Sequence, residues 1–460
     1  MKNLILLPEL KEIIETQSWE SFRELCEDTH PAEIAEIISV LEPEEVWILL
    51  ENVESQLRSE IFSHLDIDLQ TRIAEILDKK KLAELLTEMP ADDRVDLFKK
   101  FPEEKQELIL PALAQAERED IRKLAAYPEQ SAGSVMTSEY VALFADMTVQ
   151  EAINRVRLEA PRKETIFYNY IINEKRQLIG YVTLTDLILA RPDQTLRDIM
   201  HEDVIYAYVH EDQESVARKI QKYDLIAIPI VDQNNVLVGI VTHDDALDII
   251  LQEQTEDMEK FMAIAGTHEA GVYLKTPAWI HFKNRAIWIV TLAALGLISG
   301  MIIHSFEDVL TKMVILALYM PMVADTGGNT GSQSATVVVR ALALKEINPK
   351  DIFKVLLKEL QISLLLAIVL GILAFGKVLF LSSGSDIPIG LTLEKIGFVI
   401  ALALGLQVIS ATLIGAILPL TAAKFKLDPA VVASPALTTI VDITGLVIYF
   451  SIAKTMLNVG

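Results

Sequence analysis

Residues Ser434 to Phe450 read SPALTTIVDITGLVIYF. Asp442 stands in the middle of a run otherwise built of aliphatic residues, threonines and a glycine, with Thr438 one helical turn before it and Gly445 one turn after. Pro435 has no N–H to donate, which frees the carbonyl of Val431 one turn away. Such a helix offers a carboxylate, hydroxyls and loose carbonyls. That all-oxygen surface suits hard cations such as Mg²⁺ or Ca²⁺ and not soft metals, which take thiolate or imidazole. The competing reading is a carboxylate bonded to a hydroxyl of a neighbouring helix. Because an ionisable group in lipid is costly unless it meets a partner or water, Asp442 is where function is expected to sit.

Around this run lie five stretches long enough to cross a bilayer: Ala286 to Phe306, Leu310 to Arg340, Gln361 to Leu381, Ile396 to Leu420 and Pro429 to Ala453. Each reaches the ~20 residues that a ~30 Å hydrocarbon core demands, and one of the five is less apolar than the rest. An all-α transmembrane domain of five spans is therefore expected over residues 278–460. With the soluble half inside, nine bases lie in the inner links (Lys283, Arg285, Arg340, Lys345, Lys350, Lys354, Lys358, Lys424 and Lys426) and two in the outer ones (Lys312 and Lys395). That bias places the N-terminal part in the cytoplasm and, with an odd number of spans, Gly460 outside. Lys377, near the end of the third span, is expected to snorkel. In the second span, Asp325-Thr-Gly-Gly-Asn-Thr-Gly-Ser-Gln333 puts Gly327, Gly328 and Gly331 where another helix backbone can approach closely. Asn329 and Gln333, four residues apart, are expected to line a pore or to bond across that contact.

The charge divides sharply. Of 460 residues, 51% are hydrophobic, yet the net charge is −24. From Ala278 onward there are 10 acids and 13 bases, whereas the residues before it hold 55 acids and 28 bases. An acidic soluble half is thus joined to an apolar one. The acids would repel nucleic acid. The lone Cys26 excludes a disulfide scaffold. The opening MKNLILLPEL runs at once into acids, unlike a signal peptide. The eight histidines are scattered and the spans hold no HExxH, Cys–His pairing or GxSxG, so the chain is not expected to be an enzyme.

Within the soluble half a repeat recurs at a spacing of 59: GYVTLTDL from Gly180 and GIVTHDDA from Gly239 pair Thr183 with Thr242 and Asp186 with Asp245. Strand and helix patterns around each copy resemble tandem cystathionine-β-synthase-type (CBS) modules, over 129–198 and 199–251. In such modules the Thr-x-x-Asp after the last strand can hold ribose and phosphate. ATP or another adenine nucleotide is thereby implied at Thr183, Asp186, Thr242 and Asp245. Residues 1–128 carry short helical patterns such as PEEVWILLENV and ADDRVDLFKKF, each opening on Pro or an acid, and read as an acidic α-helical superhelix. Residues 252–277 form a connecting helix leading into the first span.

This order of parts, with the strings MPADDRVDL, SAGSVMT, KYDLIAIPIVD, TEDMEK, PMVADTGGNTGSQ and LDPAVVASPALTTIVDITGL, resembles the MgtE family of magnesium channels and transporters over essentially the whole chain. The resemblance implies a homodimer in a bacterial cell (inner) membrane, with a pore on the dyad lined by the second and fifth spans. It assigns Asp442 as the pore aspartate for a largely hydrated Mg²⁺ and Asp428 as an acid at the inner mouth that helps close the gate. Regulatory Mg²⁺ is implied at Asp92, Asp93 and Asp96, at Asp244, Asp245 and Asp248, and at Glu253, Glu256 and Asp257. Gln254 and Asp325 depart from the usual pattern, the second at a place that can alter selectivity.

Physically, Mg²⁺ dehydrates reluctantly, so a carboxylate doubled on a symmetry axis would attract the hydrated ion and still release it. Acids that repel one another at low intracellular Mg²⁺ and are bridged at high Mg²⁺ would gate that pore. The alternatives are transport of another divalent cation, an anion channel, or a nucleotide-sensing membrane protein that transports nothing.

Overall fold

The computed structural model describes residues 2–264, 273, 276–384, 387, 390–430 and 435–458. Contacts divide the chain into two units, Met1–Leu251 and Gln252–Gly460.

The first unit opens with a run of short α-helices from Lys2–Thr16 to Gln115–Leu124. Helices two places apart pack together: Pro31–Ile38 on Ser55–Ser63, Ser55–Ser63 on Lys79–Glu88, and Pro43–Glu51 on Ile67–Ile76. Ile67–Ile76 in turn packs on Ala91–Lys100. This stepwise stacking is how a superhelix of helix pairs buries a continuous core, here around Phe22, Ile34, Ile61, Phe62 and Ile73. The starts were legible in the sequence. Pro43 occupies the first helical position, Glu42 and Glu45 form a reciprocal capping box, and Asp78 accepts from the N–H groups of Lys80 and Lys81 at 2.9 Å each. Arg94 is buried because its guanidinium donates to the carbonyls of Leu86 at 2.5 Å and Met89 at 2.7 Å.

The repeat builds two small sheets of the same topology. β1 (Ala142–Phe144) runs parallel to β2 (Tyr168–Ile172), which is antiparallel to β3 (Leu178–Thr183). β4 (Ala207–Tyr208), β5 (Ala227–Val231) and β6 (Leu237–Thr242) repeat that order. The two sheets share a core of Tyr140, Tyr170, Ile172, Leu237 and Ile240, where the Tyr140 hydroxyl donates to the Leu237 carbonyl at 3.0 Å.

After β6, a single helix runs from His243 to Phe261. The connecting segment expected from residue 252 starts where the second unit starts, and its first part continues the helix that begins at His243. The rest of that expected segment lies partly outside the described residues.

Among its described residues the second unit holds five long helices: the first (Ala278–Ser305), second (Ile315–Ala343), third (Ile352–Leu381), fourth (Leu393–Lys424) and fifth (Pro435–Leu457). Among the described residues, four are both long and apolar enough to cross a membrane. The second has the length, at 29 residues, but its middle is polar. It also starts later than expected: a short helix, Glu307–Lys312, precedes it, and Met313 leaves helical geometry at φ −136°, ψ 67°. The fourth helix is the most buried and packs against the second, third and fifth.

Candidate functional site

Three clusters bear on function. The first is acidic and lies wholly within the first unit. Asp92 and Asp93 occupy the first turn of Ala91–Lys100, and Asp244 and Asp245 the first turn of His243–Phe261. Burial, reinforced by Asp245, Asp93 and Glu164, pushes Asp92 well above the ordinary carboxylate range. One of its oxygens, Oδ1, is buried without a hydrogen-bond partner. Burial likewise lifts Asp93 to about 6, opposed by the nearby Ser63 hydroxyl and aided by Asp245. Glu164 is raised to about 7 by burial and by Asp245 and Asp244.

Asp245 is raised mainly by burial, although the Thr242 hydroxyl donates to it. Asp248 is raised by burial and by Asp244. Asp96 is also raised by burial, but Lys99 offsets the effect from 3.6 Å. The structure thus brings Asp92, Asp93, Asp244 and Asp245 together around a residue that sequence reasoning missed. Glu164 escaped because the 59-residue repeat matches it to Tyr223, which carries no charge.

Glu253, Glu256 and Asp257 lie farther along the same helix in the second unit. Among the described residues, no three His, Cys, Asp or Glu side chains are grouped closely enough to hold a metal ion by themselves.

The second cluster is in the membrane helices. Asp442 is half-buried, and Asp325 of the second helix is close enough to interact with it electrostatically. Among the described residues no hydroxyl bonds the Asp442 carboxylate. The carboxylate-to-hydroxyl contact exists elsewhere, between Glu359 and Ser334 at 2.9 Å. Val431, whose freed carbonyl was expected to help, lies outside the described residues.

Gly331 meets the fourth helix backbone, where a Cβ would stand 3.1 Å from the Ala411 carbonyl, and Gly327 faces Gln407. Gly328 faces open space. The expectation that Asn329 and Gln333 bond across the glycine contact is corrected. Both are exposed, one turn apart on a stripe with Asp325, whereas Gly327, Thr330, Gly331 and Ser334 form the buried face. Helical geometry puts residues four apart on one face, and the glycines sit on another. Thr438 is half-buried and Gly445 packs against Gln407.

At the start of the segment leading to the fifth helix, Asp428 accepts from the Ala430 N–H at 2.8 Å and pairs with Lys260 at 3.4 Å. Lys260 also meets Glu256 at 2.8 Å. Burial works to lower the Lys260 pKa, but Glu256 and Asp428 outweigh it and raise it. Phe261 packs against the cluster of Ala335, Ala411, Leu437 and Val441, the last of which directly precedes Asp442.

The third cluster is the expected nucleotide contacts. Thr183 and Asp186 close on each other, with the Thr183 hydroxyl donating to Asp186 at 2.6 Å, and His201 stands 3.1 Å from the same oxygen. Thr242 and Asp245 form the same motif, but there Asp245 belongs to the acidic cluster. A small cleft between the modules is lined by Tyr168, Tyr181, Asp203, Ile205 and Pro229, and by neither Thr-x-x-Asp pair.

Buried, mutually repelling carboxylates in the first unit, with Asp325 and Asp442 carried on long helices in the second, are features expected of a membrane transporter of divalent cations. Family profiles agree: residues 320–452 match one described as a divalent cation transporter, and 29–130 match the MgtE intracellular N domain. Residues 132–193 and 196–252 match the CBS domain. The magnesium transporter MgtE of Bacillus subtilis is 35% identical over 94% of this chain and 96% of its own, and that of Thermus thermophilus 35% over 98% of each. A solved soluble part of a magnesium transporter, 30% identical, superposes with a TM-score of 0.51, covering 55% of this chain and 99% of that one. The chain belongs to the MgtE family of magnesium transporters.

The acidic cluster makes stability depend on pH in a defined direction. Asp93 and Glu164 hold protons more tightly when folded, at about 6 and about 7, than at their ordinary values of 3.8 and 4.5. Their burial is therefore tolerated below the ordinary values and becomes destabilising as pH rises through the folded ones. In chelator, the thermal midpoint of the purified chain is expected to fall between pH 5 and pH 8, and saturating Mg²⁺ is expected to flatten that fall. A midpoint that rises with pH in chelator would contradict the assignment.

Proposed function

We propose that the chain conducts Mg²⁺ across a cell (inner) membrane as a homodimer, through a pore on the dyad lined by the second and fifth helices. The N-terminal domains are cytoplasmic and the C-terminus is outside. The observation that carries this reading is the closeness of Asp325 and Asp442 within the apolar half, with Asn329 and Gln333 exposed on the same stripe as Asp325. A polar stripe in lipid is costly unless it faces water or a partner. A second copy would supply both, doubling the carboxylates around a hydrated ion.

In this reading intracellular Mg²⁺ regulates its own entry. At low Mg²⁺ the acids at Asp92, Asp93, Asp244, Asp245 and Glu164 repel one another, and at high Mg²⁺ the bound ion, with its waters, relieves the repulsion. Asp96, Asp248, Glu253, Glu256 and Asp257 complete the regulatory set. The helix His243–Phe261 carries the change to the Lys260–Asp428 pair, which holds the inner mouth shut. An adenine nucleotide at Thr183, Asp186, Thr242 and Asp245 would adjust the sensor, because Asp245 serves both sites.

Asp442→Ala is expected to abolish Mg²⁺ uptake into liposomes while the purified protein elutes as the wild-type assembly does. Undiminished uptake would refute the pore assignment. Asp93→Asn combined with Asp245→Asn is expected to leave uptake open at millimolar Mg²⁺, where the wild type closes. Normal closure in that double variant would reject the sensor.

A further inference from the structure

We propose that Gln407 is a positioning residue of the cation pathway, a buried amide that fixes where Asp442 stands. The inference rests on the reading of Asp442 as the pore carboxylate. Gln407 lies inside the fourth helix, in an otherwise apolar stretch, and is fully buried. Its Nε2 donates to the backbone carbonyl of Val441 at 2.9 Å, the residue directly before Asp442. Because a carbonyl can only accept, Val441 fixes which end of the amide faces it, and the Ser410 hydroxyl lies 3.2 Å from Oε1 and 3.0 Å from the Gln407 carbonyl.

The amide reaches the fifth helix because two glycines make room for it. A Cβ on Gly445 would stand 2.5 Å from Nε2, and one on Gly327 would collide with the same atom. One side chain of the fourth helix is therefore seated between the second and fifth helices, the two that carry Asp325 and Asp442. The Thr444 hydroxyl of the fifth helix itself also donates to that carbonyl, at 3.0 Å, so Gln407 is the partner that reaches it from another helix. Amide burial in an apolar bundle is costly without partners, and here its donor is spent on one carbonyl. Supporting shells of this kind hold functional groups within about half an ångström of their working position.

The two glycines give the test its logic. Gln407→Ala removes the amide. Gly445→Ala displaces the amide without removing it. The double variant removes the clash along with the amide, so its loss should not exceed that of Gln407→Ala alone. Mg²⁺ uptake into liposomes holding the full-length chain, with and without competing Ca²⁺, is measured for these three, for Gln407→Met, which fills the space without a donor, and for Asp442→Ala.

Gln407→Ala, Gln407→Met and Gly445→Ala are each expected to cut Mg²⁺ flux roughly tenfold and to shift the Mg²⁺ to Ca²⁺ flux ratio, with the double variant no lower than Gln407→Ala. A wild-type flux ratio in Gln407→Met, or losses that simply add in the double variant, would overturn the proposal. If Asp442→Ala conducts normally, the pore reading itself fails. If it is silent while Gln407→Met behaves as wild type, only the positioning role fails.

Discussion

An ionised carboxylate removed from water must find a compensating charge or take up a proton, and both halves of this chain are organised around that cost. In the soluble half, Asp92 keeps a buried oxygen without a hydrogen-bond partner while Asp245, Asp93 and Glu164 press on it. In the apolar half, Asp325 and Asp442 interact, and neither is tied to a hydroxyl of the described residues. Such carboxylates are costly as permanent structure, and under the proposed function a hydrated divalent cation relieves that cost. Glu359, which accepts from Ser334, shows what a carboxylate settled for structure alone looks like in the same bundle.

The helix His243–Phe261 connects the two settings. Its first turn carries Asp244 and Asp245 of the acidic cluster, and its last turn carries Lys260, which pairs with Asp428 in the second unit. At 19 residues and ~1.5 Å per residue it is a strut of roughly 28 Å. A continuous helix transmits displacement with little loss, which a jointed pair of helices would not. In the proposed regulation, a change in repulsion at one end would do work at the other. Phe261 packs against the cluster that includes Val441, the residue preceding Asp442, whose carbonyl accepts from Gln407.

Much of this was legible in the residues. Pro and acids at helix starts marked the superhelix, the 59-residue repeat drew both sheets, and a lone aspartate in an apolar run drew attention to the fifth helix. What stayed hidden depended on packing between distant segments. Glu164 sits where the repeat offers no acid to match it. Gln407 reads as a stray polar residue until Val441, distant in sequence, is brought against it. Asn329 and Gln333 were placed on the glycine contact because proximity in sequence suggested it, whereas helical periodicity turns them onto the stripe with Asp325. The boundary placed at residue 252 gave no sign that the helix begun at His243 runs through it to Phe261, although the two units divide there.

The central claim is that the stripe of Asp325, Asn329 and Gln333 faces a water-filled axis shared with a second copy. Its most direct test places Asn329→Cys in a Cys26→Ser background and asks, in native membranes, for disulfide formation under mild oxidation and for labelling by a water-soluble maleimide. The account predicts a covalent dimer whose formation Mg²⁺ flux inhibitors or bound divalent cations slow, together with labelling of the reduced chain. Chains that stay monomeric and resist the maleimide would place the stripe against lipid and contradict the conduction pathway.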